Sequence, residues 1–312
     1  MSFHQQSVAR FGHQFVAGLR PQQAVLEVEG VRGLLPARQS VARRADLGRW
    51  RVQGGIGRMF WGVTESRHLV NIVNPADLRF DSGGLSSLGQ PLLSASTHHG
   101  DAQWQALALP CHRPRARQVG ADGARSDTFA PIRCGRSDYA LRYRFSKGPL
   151  DLGLVRFDGL AREPWSDAQG ERYPRLRRWS ADAQLTLGAW LLKLEAARDA
   201  RPGYGARRAS VVGFEYALSF VGTRLDYGLL YEHLEQTGCA PLTCGDMVGL
   251  RLSANDAAGS ELLASALKDR TTGHTLYVLR GQRRIGERYQ LRVDGNRFGS
   301  ERWLSLSAAY HF

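Results

Sequence analysis

The side chains in this sequence that could do chemistry are mostly arginines placed on one side of alternating segments. Arg142, Arg144, Arg224, Arg251, Arg288 and Arg292 each fall on the polar side of a stretch whose other side is apolar. Guanidinium groups repeated on one face of successive strands would line a lumen, favouring anions over cations. Asp182, Glu195, Glu215, Asp226, Glu232 and Asp294 share that face, so ion pairs across the lumen would offset part of the positive charge. A second polar group, Glu65, His68, Asn71, Asn74 and Asp77, sits in an irregular stretch. It reads either as a constriction or solute-binding ledge, or as turn chemistry that fixes a loop. His98, His99 and Asp101 have the side chains for a metal site or a base and its orienter. Adjacent histidines on a strand would point to opposite faces, which argues against a shared site. No GxSxG elbow, phosphate-binding glycine loop, dinucleotide fingerprint or HExxH helix occurs, so no enzyme, metal or cofactor is expected.

Elements that position such a ladder must be strands. Mean hydropathy is −0.34, and no stretch nears the roughly 18 uninterrupted apolar residues of a membrane-crossing helix. Period-2 alternation, by contrast, recurs. Tyr139, Leu141, Tyr143 and Phe145 alternate with Arg142 and Arg144, and Trp179, Ala181, Ala183, Leu185 and Leu187 with Ser180, Asp182, Gln184 and Thr186. The same pattern covers 190–196, 212–220, 225–232, 248–253 and 289–294. Its clearest instance ends the chain, where Leu304, Leu306, Ala308, Tyr310 and Phe312 share one side, with an irregularity near Trp303. Alternation shows lipid to one face and water to the other. The apolar face is almost free of charge and carries Trp179, Trp190, Tyr139 and Tyr231 near strand ends, which favours lipid over a soluble sandwich.

The expected fold is therefore all-β: one transmembrane antiparallel β-barrel over residues 1–312, with about 14–16 strands. Residues 6–18, 23–32 and 48–60 read as further strands. Residues 63–100 read as an irregular segment lying in or over the lumen, one option being that it folds inward and narrows it. Tight turns are expected at 146–148 and 221–222, and long loops at 159–178 and 199–207.

Net charge is +13, and only three of the 42 cationic side chains are lysine: Lys147, Lys193 and Lys268. The arginine excess reads as a GC-rich genome, an anion-attracting lumen or contacts to anionic lipid. No nucleic-acid motif accompanies it, so nucleic acid is not an expected partner. Cys111, Cys134, Cys239 and Cys244 fall in two local pairs within loop-like segments and read as two disulfides of an oxidising compartment, with free thiols as the alternative. Residues 1–18 lack the apolar core of a signal peptide, so the start is expected to be truncated.

A resemblance adds to this. The block Gly57 to Ser66 (GRMFWGVTES), followed by Val70 to Leu78 (VNIVNPADL), resembles a family of uncharacterised proteobacterial outer-membrane proteins with porin-like barrels. In that family a WG…E motif leads into an N-P/Q-x-D turn. Gly213-Phe214-Glu215-Tyr216 and Arg251 to Leu263 are similar to the same family, and the likeness spans about residues 49–312. Tyr310 and Phe312 resemble the C-terminal signal read by the barrel-assembly machinery. The resemblance implies fold and outer-membrane location, not a substrate. The expected role is passive passage or export of small solutes, with outer-membrane lipid, lipopolysaccharide and the assembly machinery as partners. Two alternatives stay open: a plugged barrel that docks a periplasmic transport system, and an outer-membrane hydrolase.

Overall fold

The computed structural model describes residues 3–7, 26–30, 40–76, 87–115, 132–167, 170–201, 204–220 and 224–310. Its first strands are β1 (Phe3–Ser7), β2 (Leu26–Gly30), β3 (Ser40–Leu47), β4 (Trp50–Gly57), β5 (Gln90–His99) and β6 (Ala102–His112). Next come β7 (Arg133–Lys147), β8 (Leu150–Leu160), the small hairpin β9 (Trp165–Asp167) and β10 (Gly170–Arg172), β11 (Arg175–Leu187) and β12 (Trp190–Arg201). The chain continues through β13 (Tyr204–Ser219), β14 (Leu225–Gln236), β15 (Gly245–Ala254) and β16 (Glu261–Asp269). It ends with β17 (Thr275–Ile285), β18 (Tyr289–Phe298) and β19 (Glu301–Tyr310).

All but β9 and β10 belong to one seventeen-stranded sheet that closes on itself. Consecutive strands pair antiparallel, β8 joins β11 directly, and β1 bridges β19 to β2. An antiparallel ring with an odd number of strands needs one parallel neighbour, and β1 beside β19 supplies it. Among the described residues the seam is short, with four paired positions between β1 and β19, three between β1 and β2 and two between β2 and β3; closure of this kind is what strands in hydrocarbon require.

The two ends of the barrel differ. At one, here the turn end, strands are joined by pairs such as Gly100-Asp101 and Gly148-Pro149, whose glycines take φ of +56° and +57°. The other, the loop end, carries the connections 58–89, 113–132, 161–174 and 237–244. Both disulfides lie at the loop end.

Outside, the sheet is apolar. Leu152, Leu154, Leu192, Leu194, Val212, Leu229, Val248, Leu250, Leu279 and Leu306 are all exposed there. Aromatic side chains border this band. Trp50, Trp104 and Trp190 stand near the turn end, Trp190 against Phe214 and Tyr216, while Tyr139, Trp179 and Tyr277 stand nearer the loop end. From Trp179 to Leu187 along β11 is on the order of 25 Å, which matches the apolar band of a membrane barrel.

Several expectations change. Residues 90–99 are strand β5, not part of an irregular segment. Leu92 packs inward against the inserted chain while Leu93 faces out, so both faces mix apolar and polar residues and alternation disappears. Cys111 and Cys134 are opposite one another on β6 and β7, not in loops, and form a cross-strand disulfide; Cys239–Cys244 closes a short loop. The long loop at 199–207 is mostly strand, since β12 runs to Arg201 and β13 starts at Tyr204. Strands β3, β6, β8, β16 and β17 were not anticipated. Unbroken pairing of β18 with β19 removes the irregularity near Trp303. Most of 6–18, along with Asp77 and Phe312, lies outside the described residues, and Tyr310 is the last residue of β19.

The outward band yields a test. Leu194→Arg at its mid-height should destabilise the barrel in phosphatidylcholine vesicles by about 2–4 kcal/mol, whereas Gln184→Arg on the lumen face should change little. Urea unfolding of the reconstituted protein measures both, and equal effects would remove the lipid-facing assignment.

Candidate functional site: an inserted segment clamped in the lumen

After β4 the chain leaves the wall at Gly57 and returns at Gln90. Between them, residues 58–76 turn into the lumen and reach strands far around the ring. Asn74 closes the neck. Its Nδ2 donates to the carbonyls of Gly57 and Leu88 at 3.0 and 2.8 Å, and its Oδ1 accepts the Met59 amide at 2.7 Å. An isolated bridge between Ala76 and Ser87 holds the same neck.

Two wall carboxylates hold the far end. The Val63 and Thr64 amides donate to Glu195 Oε1 at 2.7 and 3.1 Å, and the Thr64 hydroxyl at 2.8 Å; the Val70 amide donates to Oε2 at 3.1 Å. On β14, Glu232 accepts the Glu65 and Ser66 amides at 2.7 and 2.8 Å, together with the Ser66 hydroxyl. Runs of amides converging on an anion are the way backbone binds negative charge. Both carboxylates are essentially inaccessible, so these bonds replace water they have lost. Gly62 makes the approach feasible: its φ is +146°, and a Cβ there would stand 2.8 Å from Glu195 Oε1. Strand glycines give room in the same way, Gly213 beside Glu232 and Gly228 beside Glu215.

Arginines from the wall and from the connection after β8 grip the segment's carbonyls. Arg178, held by Asp199 at 2.5 and 2.8 Å, donates to Leu69 O at 3.1 Å. Arg162, buried against Asp138 at 3.0 Å, donates to Val73 O at 2.9 Å. Arg142 pairs with Asp182 at 3.2 Å and lies over the Trp61 ring at 5.1 Å. Apolar contacts complete the seat. Trp61, Val70, Ile72 and Val73 pack on Leu92, Leu107, Leu109, Val155, Phe157 and Leu176, and Leu69 packs on Val211, Leu234, Met247 and Leu267.

Toward the turn end, the segment's tip joins a charged cluster. Arg251 donates to Glu65 at 2.7 Å and Glu215 at 2.9 Å and also pairs with Glu261; Lys193 lies 3.1 Å from Glu215 and 3.6 Å from Glu65. Burial would raise the Glu65 carboxyl, but Arg251, Lys193 and His68 outweigh it and hold it below its usual range. Burial lowers the His68 imidazole despite the nearby Glu195 and Glu65, and the ring meets Phe60 edge-on with centroids 4.7 Å apart.

The residues singled out from sequence thus separate. Glu65, His68, Asn71 and Asn74 lie together on the inserted segment. Glu65 is in the ion cluster, Asn74 is at the neck, and the Asn71 side-chain oxygen is buried without a hydrogen-bond partner among the described residues. Of the arginine ladder, Arg142 and Arg251 face the lumen within ion pairs. Arg144 and Arg292 share that face and are exposed. Arg224 and Arg288 are corrections: each lies in a turn-end connection just before β14 or β18, where alternation no longer assigns a face. His98 and His99 end β5 as exposed neighbours on opposite faces. Glu195 and Glu232 were read only as counter-charges. Their sequence signal was an acidic residue on a strand otherwise able to be apolar, with no hint of partners 131 and 167 residues away.

No family model and no curated protein matches the sequence. Among solved structures, the chain is similar to the crystal structure of a BenF-like porin from Pseudomonas fluorescens Pf-5, over 94% of this chain and 88% of that one, at 11% identity and a TM-score of 0.44. The barrel is read here from its own strand pairing.

Glu195→Gln keeps the shape but turns an acceptor oxygen into a donor facing backbone amides. It should destabilise the folded barrel by on the order of 3 kcal/mol. Gly62→Ala should act in the same direction by displacing that carboxylate. Unfolding midpoints unchanged from wild type in both variants would show that the clamp contributes nothing.

Proposed function

We propose that this chain is a porin-like outer-membrane channel for small solutes, narrowed by its own inserted segment. The observation that carries this reading is the clamp. A segment held by carboxylates and arginines from the wall is a fixed constriction, placed within a closed, lipid-faced barrel. Two disulfides at the loop end suit an oxidising compartment, and short turns opposite long loops suit a periplasmic and an external side.

The solute enters from the turn end through a polar vestibule. Lumen-face Arg144, Thr186, Asp226, Gln282, Arg284 and Arg292 are exposed there, in contrast to the buried residues around the segment. Selectivity for anions rests on this mouth, because Arg142 and Arg251 are already neutralised by Asp182 and by Glu65, Glu215 and Glu261. The preference is therefore weak, with Arg144, Arg284 and Arg292 drawing anions toward a constriction that is close to charge-balanced.

Planar-bilayer recordings under a salt gradient test this. Wild type should give a small, steady conductance with a modest anion-selective reversal potential. Arg284→Glu with Arg292→Glu should move that potential toward cations, and Glu195→Ala with Glu232→Ala should give larger, noisier openings. Silence from wild type and from the clamp variant, with both folded and inserted, would reject the channel in favour of a plugged docking barrel.

A further inference from the structure

The outer surface carries a feature that solute passage does not use. Where β11, β12 and β13 run side by side, Ala181, Ala196 and Ser210 stand abreast in register on the lipid face. Three small side chains in a row, between Trp179 and Leu154 on one flank and Glu235 on the other, leave a furrow of ≈ 510 Å³. Its floor is predominantly apolar, and Leu194 and Val212 continue the surface toward mid-membrane.

One step nearer the loop end, the same three strands bear Trp179, Arg198 and Arg208, again abreast. Arg198 and Arg208 are exposed and have no ion-pair partner among the described residues. Arg156 adds a third guanidinium, 4.8 Å over the Trp179 ring. The carboxylate at the furrow's edge, Glu235, is already engaged by Arg270 and lies 3.8 Å from His233. Unpaired arginines directly above an apolar furrow, at the level of an interfacial tryptophan, complement a ligand with an acyl chain and a phosphate.

We infer that this furrow is a binding site for a phosphorylated glycolipid of the external leaflet, with an acyl chain over Ala181, Ala196 and Ser210 and a phosphate between Arg198 and Arg208. Arginine suits the role because its planar fork binds two phosphate oxygens at once. The assignment rests on the proposed outer-membrane orientation, with the loop end outward. It also gives part of the arginine excess a location outside the lumen.

The test reconstitutes the full chain in phosphatidylcholine vesicles containing diphosphorylated lipid A, extracts it in mild detergent and measures lipid retained per barrel. Wild type should retain lipid A. Arg198→Ala with Arg208→Ala should weaken retention by on the order of ten-fold per arginine. Ala196→Leu, which fills the furrow and keeps the charges, should weaken it as well. Equal retention by wild type and both variants would overturn the site, and equal retention of phosphatidylglycerol would overturn the glycolipid assignment. Bilayer conductance of the same variants, expected at the wild-type level, separates this failure from failure of the channel reading.

Discussion

Two buried carboxylates organise the interior. A wide barrel has a lumen too large for its own side chains to fill, so something else must occupy it or water will. Here the occupant is a length of backbone, and backbone brings amides that need acceptors. Glu195 and Glu232 supply them, each taking several donors from the segment. The carboxylates lose water and the segment loses its alternatives to a single conformation. Neither group is satisfied without the other, which makes the arrangement close to all-or-none.

The rest of the lumen follows from that seat. Once the backbone is held between 63 and 70, Trp61, Leu69, Val70, Ile72 and Val73 lie against wall positions that would otherwise face water. That explains why β5, β6 and β8 carry Leu92, Leu107, Leu109, Val155 and Phe157 on their inner face. An inner wall that is polar and exposed near the turn end, and that carries buried apolar side chains among its ion pairs nearer the loop end, is the imprint of the segment. The charged cluster around Arg251 marks the boundary between the two, with Glu65 at the segment's tip as the link.

Outside, the same strands solve a different problem. Their lipid-facing residues form a band between aromatic borders, interrupted by the Ala181–Ala196–Ser210 row under Arg198 and Arg208. A strand such as β12 therefore carries two chemistries at once. On one face Glu195 holds the segment and Asp199 holds the Arg178 that grips it, while Ala196 and Arg198 shape the furrow on the other.

The fold class was legible because alternation is a property of the covalent chain: successive side chains on a strand point to opposite faces whatever the partner strand is. Segments 139–145, 179–187, 190–196 and 302–310 announced themselves in this way, as did the two cysteine pairs. Strand β5 did not, because its inner face joins Leu92 to Gln90, Ser94 and Ser96 while its outer face joins Leu93 and Ala95 to Thr97 and His99, so the period-2 contrast vanishes. The break in alternation after Gly62 and the polar group from Glu65 to Asn74 could be located by sequence. Their partners could not, since Glu195 and Glu232 meet the segment only through the register of a closed ring, and register depends on every strand between them. The same holds for the arginines. Sequence determined which of them alternate with apolar residues; only the tertiary structure decided that Arg142 and Arg251 are consumed in ion pairs, while Arg198 and Arg208 stand exposed on the outer face with no ion-pair partner among the described residues.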